Sequence, residues 1–226
     1  MRLIFISDSH LAHRDSPSRF PVIPDGDILV HAGDATWMGT EEEIKQYADW
    51  FLKLPHRHKV STAGNHDWLG QLNPALYREI LKADNHYILI DESVELEGIK
   101  FYGSPFSPRF GNWAFPLNAG KDDEEKWAKI PNDTDILITH GPPLWIGDRC
   151  GNGDRAGSPA LYKRVLEIRP KVHVFGHIHE AYGPYLANGE RMRKPKIRDG
   201  QTLFLNAAIC DLSYDPINKP FEVIYG

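Results

Sequence analysis

Cysteine is nearly absent. The 226-residue chain has two, Cys150 and Cys210, far apart and outside any Cys-x-x-Cys pattern. That excludes a disulfide framework and a thiolate metal site, and both thiols are expected to be free in a reducing compartment, a lone bridge between them being the alternative. Long apolar runs are missing too. Nothing approaches the ~18–20 residues that span a bilayer, and the opening Arg2-Leu3-Ile4-Phe5-Ile6 is too short for a secretory leader. A cytoplasmic protein with no membrane partner is expected. Positive charge is not in excess: 26 Lys and Arg against 31 Asp and Glu leave a formal net charge of −5. A general binder of nucleic acid or anionic membrane would normally be basic, so no stable nucleic-acid complex is expected. Repeats, low-complexity stretches and linker-like boundaries are absent as well, and residues 1–226 are expected to form a single domain.

What is present is an ordinary globular composition, 41% hydrophobic and 25% charged, with eleven histidines that cluster. Residues 2–7, Asp27–Ala32, Lys59–Thr62, Asp135–Ile138 and Val172–Phe175 are apolar runs of the kind that form strands buried on both faces. Helices are expected after Thr40, where Thr40 and Glu43 form a capping box; at Asn73-Pro74; over Lys121–Ile130; and at Ser158-Pro159. Tyr87–Ile90, Ser93–Leu96 and Ile99–Tyr102 are short enough for an antiparallel meander, with Glu97-Gly98 as a tight turn. Residues 103–120 form a long ordered loop, and Thr202–Leu205 and Phe221–Ile224 are closing strands. The pattern is that of a mixed α/β layered architecture.

The same event occurs at five strand ends: an apolar run stops and metal-type ligands follow at once. They are Asp8 and His10, Asp34, Asn65 and His66, His140, and His177 and His179. Carboxyl ends of strands in an α/β sheet share one rim, so these groups can converge. Asp8, His10, Asp34, Asn65, His140, His177 and His179 supply mixed oxygen and imidazole donors for two divalent ions, which sit about 3.5–4 Å apart in hydrolytic centres and need a shared carboxylate. In Asp8-x-His10 and His177-x-His179 the ligands are two apart, and residues i and i+2 of a regular strand point the same way. Imidazole–carboxylate sites accept several first-row ions, with Mn²⁺ first here and Fe, Zn²⁺, Co²⁺ or Ni²⁺ as alternatives. In Gly64-Asn65-His66-Asp67, Gly64 suits a sharp, positive-φ turn, Asn65 offers a neutral oxygen, His66 can give a proton, and Asp67 can fix the tautomer of that imidazole.

Asp8-x-His10, Gly33-Asp34, Gly64-Asn65-His66-Asp67, Thr139-His140 and Gly176-His177-Ile178-His179 together resemble the signature of calcineurin-like metallophosphoesterases. Gly103-Ser104-Pro105-Phe106, Asn112-Trp113-Ala114-Phe115, Gly141-Pro142-Pro143, His173–Glu180 and Asn206-Ala207-Ala208 are similar to the metallophosphoesterase-domain-containing branch, over almost the whole chain. The resemblance implies a four-layer α/β/β/α sandwich of mixed sheets flanked by helices. It implies one metal on Asp8, His10 and His179, the other on Asn65, His140 and His177, and Asp34 between them. Catalysis would fall to His66 as general acid, oriented by Asp67, while a water activated between the ions attacks phosphorus in line.

Two departures shape the substrate. Ala35-Thr36-Trp37-Met38-Gly39 stands where protein-phosphatase relatives carry Asp-Arg-Gly, which argues against a Ser/Thr protein phosphatase. No insertion is long enough for a cap domain, so the centre should be open, favouring nucleotide phosphodiesters, cyclic ones included. A metal-dependent nuclease using the basic segment Arg191–Arg198, and a nucleotide-binding regulator with weak turnover, are the alternatives. That segment is expected as a solvated hairpin, with reach over the site as the other reading. His13 is expected on a solvated loop bordering the site, with substrate contact as the other reading, His31 and His173 in the core or behind the ligands, and His56, His58 and His86 at the surface. Trp113 and Phe115 are either pocket walls or small hydrophobic anchors.

Overall fold

Strands that are apolar on both faces must be covered on both, and two sheets lie back to back to achieve this. The computed structural model describes residues 1–226. The first half runs β1 (Arg2–Ile6), α1 (Ala12–Asp15), β2 (Ile28–Ala32), α2 (Glu41–Phe51), β3 (His58–Thr62), α3 (Trp68–Leu72), α4 (Pro74–Ile80), β4 (His86–Ile88), β5 (Glu92–Leu96) and β6 (Ile99–Ser104). The second runs β7 (Ser107–Pro108), β8 (Pro116–Leu117), α5 (Lys121–Trp127), β9 (Ile136–Thr139), α6 (Pro159–Ile168), β10 (Val172–Phe175), β11 (Gly183–Tyr185), β12 (Leu203–Asn206) and β13 (Phe221–Ile224). The first sheet has the order β13-β1-β2-β3-β4, parallel except for β13. The second has the order β11-β12-β10-β9-β6-β5, with β12, β10, β9 and β6 parallel and antiparallel strands at both edges.

Alternation along β1 shows how the layers form. Leu3 and Phe5 face the second sheet in a core shared with Val30, Phe101, Ile138 and Val174. Ile4 and Ile6 face outward onto Ile44, Tyr47 and Phe51 of α2 and Tyr77 of α4. On the far side Leu137, Phe175 and Phe204 meet Trp127 of α5 and Leu161 and Val165 of α6. Each fully buried side chain of this size contributes about 1.5–3 kcal/mol. The result is the expected α/β/β/α stack.

The helix starts follow the local chemistry. Thr40 Oγ1 accepts from Glu43 N at 3.3 Å while Glu43 Oε2 accepts from Thr40 N at 3.2 Å, completing the capping box. Asn73 Oδ1 accepts from Leu76 N at 3.2 Å and Ser158 Oγ from Leu161 N at 2.9 Å, each just ahead of a proline.

The meander does not form. β5 and β6 make a hairpin through Glu97 and Gly98, both at positive φ (53° and 75°). β4 instead lies parallel to β3 in the other sheet. Asp91, at φ 57°, turns the chain from one sheet to the other, so Asp91-Glu92 is a crossing and not a hairpin turn. His56 and His86 are buried, contrary to expectation, and His58 is half-buried. His86 bridges Ser61 Oγ and the Leu81 carbonyl, both at 2.8 Å, so its two nitrogens are satisfied without water.

The basic segment does not reach over the rim that carries the ligands. Met192 and Ile197 pack on the core between the sheets, Arg191 turns back to the Tyr182 carbonyl, and Pro195–Arg198 lie across the sheets' other end. There they wall a groove of about 680 Å³ with Arg169, Lys171 and Tyr225. Lys171 precedes β10 and His177 follows it, which puts the length of the strand between groove and ligands.

Asp123, buried between α5 and α6, accepts from Trp127 Nε1 at 2.6 Å, Ser158 Oγ at 2.7 Å and Ala160 N at 3.3 Å. Asp123→Ala should cost about 2–3 kcal/mol in chemical denaturation, because buried donors lose their acceptor, while metal content stays unchanged. A loss within experimental error would show that the two helices do not depend on this carboxylate.

Candidate metal centre

Past their last paired residues, β1, β2 and β10 leave the sheet through backbone that side chains rarely adopt. Asp8, His10, Asp34 and His177 have φ of 51°, 39°, 55° and 67°. Such conformations are costly for non-glycine residues and persist only where the surroundings impose them. Here Asp8 N bonds Gly33 O at 2.9 Å, His10 N bonds Asp34 O at 3.2 Å, and His177 N donates to Asp8 Oδ1 at 3.0 Å. The two-residue spacing therefore works through strained turns and not through strand alternation, since neither ligand pair lies in a strand.

Two glycines open space for the carboxylates. A Cβ on Gly64 would overlap Asp34 Oδ1, and one on Gly176 would overlap Asp8 Oδ2. Gly64 is not at positive φ, so close approach is its reason, not the turn expected of it.

All seven expected ligands converge on the rim. Asp8, His10 and His179 form one group and Asp34, His140 and His177 another, the ligand atoms within each lying within 4.8 Å of one another. Asn65 Oδ1 sits 2.8 Å from His140 Nε2. Asp34 stands between the groups: its Oδ2 is 3.2 Å from His140 Nε2 and 3.9 Å from His10 Nε2, while Oδ1 is held by His66 N at 2.8 Å.

The second nitrogens test whether these residues fit metals. His10 Nδ1 faces the Thr36 carbonyl at 3.0 Å, His140 Nδ1 that of Ala32 at 3.1 Å, and His179 Nδ1 that of Asp211 at 2.9 Å. A carbonyl accepts only, so each Nδ1 carries hydrogen and each Nε2 presents its lone pair inward, the arrangement that orients metal-binding imidazoles. His10 Nε2 and His179 Nε2 are 3.3 Å apart in a buried pocket. Two inward lone pairs that close repel unless a proton or a cation lies between them. The donor set fits two divalent ions.

Without cations, protons take their place. Burial would lower His140, but the charge and hydrogen bond of Asp34 raise it to about 9. Burial likewise opposes His179, and Asp8 raises it to about 9. Asp8, which burial would raise, is held at about 2 by the His179 hydrogen bond and charge. His10 and His177 are pushed down by burial, to about 3 and about 4.

Asp67 does not orient His66. Its carboxylate accepts from Gly64 N at 2.8 Å, Thr36 Oγ1 at 2.7 Å, Thr36 N at 3.1 Å and Ala35 N at 3.2 Å, and the His66 ring is instead fixed by Nδ1 on the Trp37 carbonyl at 2.6 Å. Trp113 stacks on His66 with 4.2 Å between centroids, while Phe115 is buried in the core under the first sheet, so the two aromatics divide into wall and anchor. His13 stacks on Trp50 at 4.3 Å and is half-buried. His31 bonds Ser9 Oγ at 3.0 Å and His173 bonds Thr139 Oγ1 at 2.8 Å, both bracing ligand turns as expected. Tyr214 is the residue that no motif announced. At φ 59° its ring lies 5.0 Å from His10 and 5.3 Å from His179, and its position thirty-odd residues past the last ligand leaves no local signal.

Fold and site together define a calcineurin-like phosphoesterase. Residues 1–181 match the model of that family, and the chain belongs to it. Within it the chain falls in the metallophosphoesterase-domain-containing branch: human metallophosphoesterase domain-containing protein 1 is 34% identical over 248 residues, covering 98% of this chain and 70% of that protein. A Caenorhabditis elegans UPF0046 protein is 35% identical over 240 residues, covering 96% of this chain and 79% of its own. Among solved structures, TT1561 of Thermus thermophilus superposes with a TM-score of 0.57 at 10% identity, over 94% of this chain and 90% of that one, which speaks for the fold. The family acts on phosphoesters and uses divalent metals. No helix is long and apolar enough to cross a membrane.

The titrations set a pH profile for protein held in chelator. His140 and His179 have folded pKa values above the ordinary 6.5, so their stabilisation is complete below 6.5 and is lost as pH rises through about 9. His10 and His177 have values below 6.5, so their contribution disappears as pH falls from 6.5 toward 3–4. Thermal stability in chelator should peak near pH 6.5 and decline on both sides, and Mn²⁺ should abolish the alkaline decline. A flat melting profile between pH 6.5 and 9 in chelator would contradict this assignment.

Proposed function

We propose that the chain is a dinuclear metal-dependent phosphodiesterase acting on small nucleotide esters, cyclic nucleotides included. The observation that carries this is the two donor groups with the Asp34 carboxylate between them, near His140 of one and His10 of the other, and with every assignable Nε2 turned inward. Asp8, His10 and His179 would hold one ion, Asn65, His140 and His177 the other, and Asp34 both. Mn²⁺ suits this oxygen-and-imidazole set, as do Fe, Zn²⁺, Co²⁺ and Ni²⁺. Bound there, two divalent cations supply an activated water and charge stabilisation for in-line displacement at phosphorus.

The protein's part is positional. The His66 amide pins Asp34 Oδ1 and so leaves Oδ2 free for two partners. The Trp37 carbonyl holds the His66 Nδ1–H and Trp113 covers one ring face, which leaves Nε2 at the mouth of the centre, from which the imidazolium form of the ring would give its Nε2 proton to the departing alkoxide. Asp67 serves the turns and not the proton. The cleft above these residues holds about 170 Å³, matched to a small ester and much smaller than the basic groove. We assign the reaction to the smaller cavity because the chemistry is there. Placement of Pro195–Arg198 at the opposite end of the sheets, with the Arg191 guanidinium engaged by the Tyr182 carbonyl, disfavours the nuclease reading, and the complete ligand set, His177 included, disfavours a regulator with weak turnover.

Hydrolysis of an aryl and an alkyl phosphodiester by Mn²⁺-loaded protein tests this. Asp34→Ala should abolish turnover of both. His66→Ala should slow the alkyl ester about 10²–10⁴-fold and the nitrophenyl ester far less, since a good leaving group needs little protonation. Turnover in chelator, or full activity in Asp34→Ala, would overturn the proposal, and equal losses on the two esters would remove His66 from the acid role.

A further inference from the structure

The rim of the cleft is unusual for a site that receives phosphate. Phe110, Trp113, Leu212 and Tyr214 form its walls, and Phe110 and Leu212 are 70% and 61% exposed. Although the chain has 26 lysines and arginines, none lines this cleft or the small recess beside it at Ser107, Pro108 and Pro116. The one charged side chain on the rim outside the ligand set and His66 is Glu180, a carboxylate.

Glu180 is held in place. It follows His179 in the short turn His179–Ala181, and its Oε1 accepts from Gly151 N at 2.6 Å. That bond ties the 147–157 connection to the rim, where Gly151 also approaches Leu212. No lysine, arginine or histidine forms an ion pair with Glu180, so its charge is not cancelled locally.

Resting on the phosphodiesterase reading above, we propose that Glu180 is a specificity-determining residue: it sets the rim against any substrate that carries a second negative charge. A phosphodiester brings one negative charge, a monoester brings two at alkaline pH, and nucleoside polyphosphates bring more. A polynucleotide keeps one per residue, so its flanking phosphates would lie on a rim that offers them apolar walls and a carboxylate. Rejection by like charge is a standard route to specificity, and one uncompensated charge near the mouth changes affinity by about tenfold for a dianion and about threefold for a monoanion. The filter thus explains why an open cleft without a cap domain need not accept every phosphate ester.

The test uses two ligands of equal shape that are not hydrolysed, phenylphosphonate (doubly charged at pH 8.5) and benzenesulfonate (singly charged), with calorimetric binding to Mn²⁺-loaded protein. Glu180→Gln keeps an oxygen for Gly151 N and removes the charge. It should tighten phenylphosphonate about tenfold and benzenesulfonate about threefold, and the difference should vanish in 1 M salt. Leu212→Arg, which adds a cation on the same rim, should shift the ratio in the same direction. Equal changes for both ligands, no change in either variant, or loss of bound metal from Glu180→Gln would overturn the proposal, the last because the carboxylate would then be holding a cation. If the ratio shifts as expected while no phosphodiester is turned over, the reaction assignment fails and the filter stands. Turnover with an unmoved ratio gives the reverse.

Discussion

The carboxylate of Asp34 is the constraint to which the rest of the rim is fitted. It is buried, as is Asp8, and two buried anions side by side are tenable only beside positive charge. His140 at 3.2 Å and His10 at 3.9 Å crowd the same oxygen of Asp34, and His179 lies 3.2 Å from Asp8. Burial alone would raise both carboxyl groups, yet the imidazoles hold Asp8 near 2 and Asp34 well below its ordinary value. The same negative field that draws protons onto His140 and His179 would draw divalent ions in their place.

That field exists because the two sheets are joined at the carboxyl ends of their strands along the rim. Ser7 N bonds Ala207 O at 2.9 Å and Ile209 N bonds Ser7 O at 2.8 Å, joining the end of β1 to the end of β12. Gly176 N bonds His140 O at 3.0 Å, tying two ligand turns directly. These bonds satisfy backbone that has left its own sheet, and they allow Asp8 and His177 to hold left-handed conformations. Core packing between the sheets and strain at the rim are therefore parts of one arrangement. A chain that lost the inter-sheet core around Phe5, Phe101 and Val174 would lose the ligand turns with it.

Most of the layered architecture was legible because it rests on local signals. Apolar runs marked the strands, and Thr40, Asn73 and Ser158 marked helix starts through caps that the structure contains. The convergence of Asp8, Asp34, Asn65, His140 and His177 was legible because parallel strands deliver their carboxyl ends to one place. Partners chosen by tertiary contact were not. β4 carries nothing that says whether it pairs with β3 or β5, and the buried state of His56 and His86 depends on acceptors contributed by Pro24, Ser61 and Leu81. The carbonyls of Thr36, Trp37, Ala32 and Asp211, which fix four imidazoles, belong to the backbone and have no letter in a sequence.

Gly64-Asn65-His66-Asp67 shows the difference most sharply, because each residue has a separate reason to be there. Gly64 makes room for Asp34, Asn65 turns an oxygen toward His140, and His66 uses its amide on Asp34 and its ring at the mouth. Asp67 faces away from that chemistry. Burial, and then the charge of Asp34, push its carboxyl up to about 6, which is a cost to the fold, and four donors from Gly64, Ala35 and Thr36 offset it. Those donors come from both strand ends that frame Asp34. By accepting from both, Asp67 locks the turn after β2 to the turn after β3, so it holds the shared carboxylate in position and reaches the metal centre only through that lock. A tetrapeptide that reads as a row of reacting groups is in the structure one amide turned to the centre, one ring at its mouth, and two residues that keep Asp34 in its place.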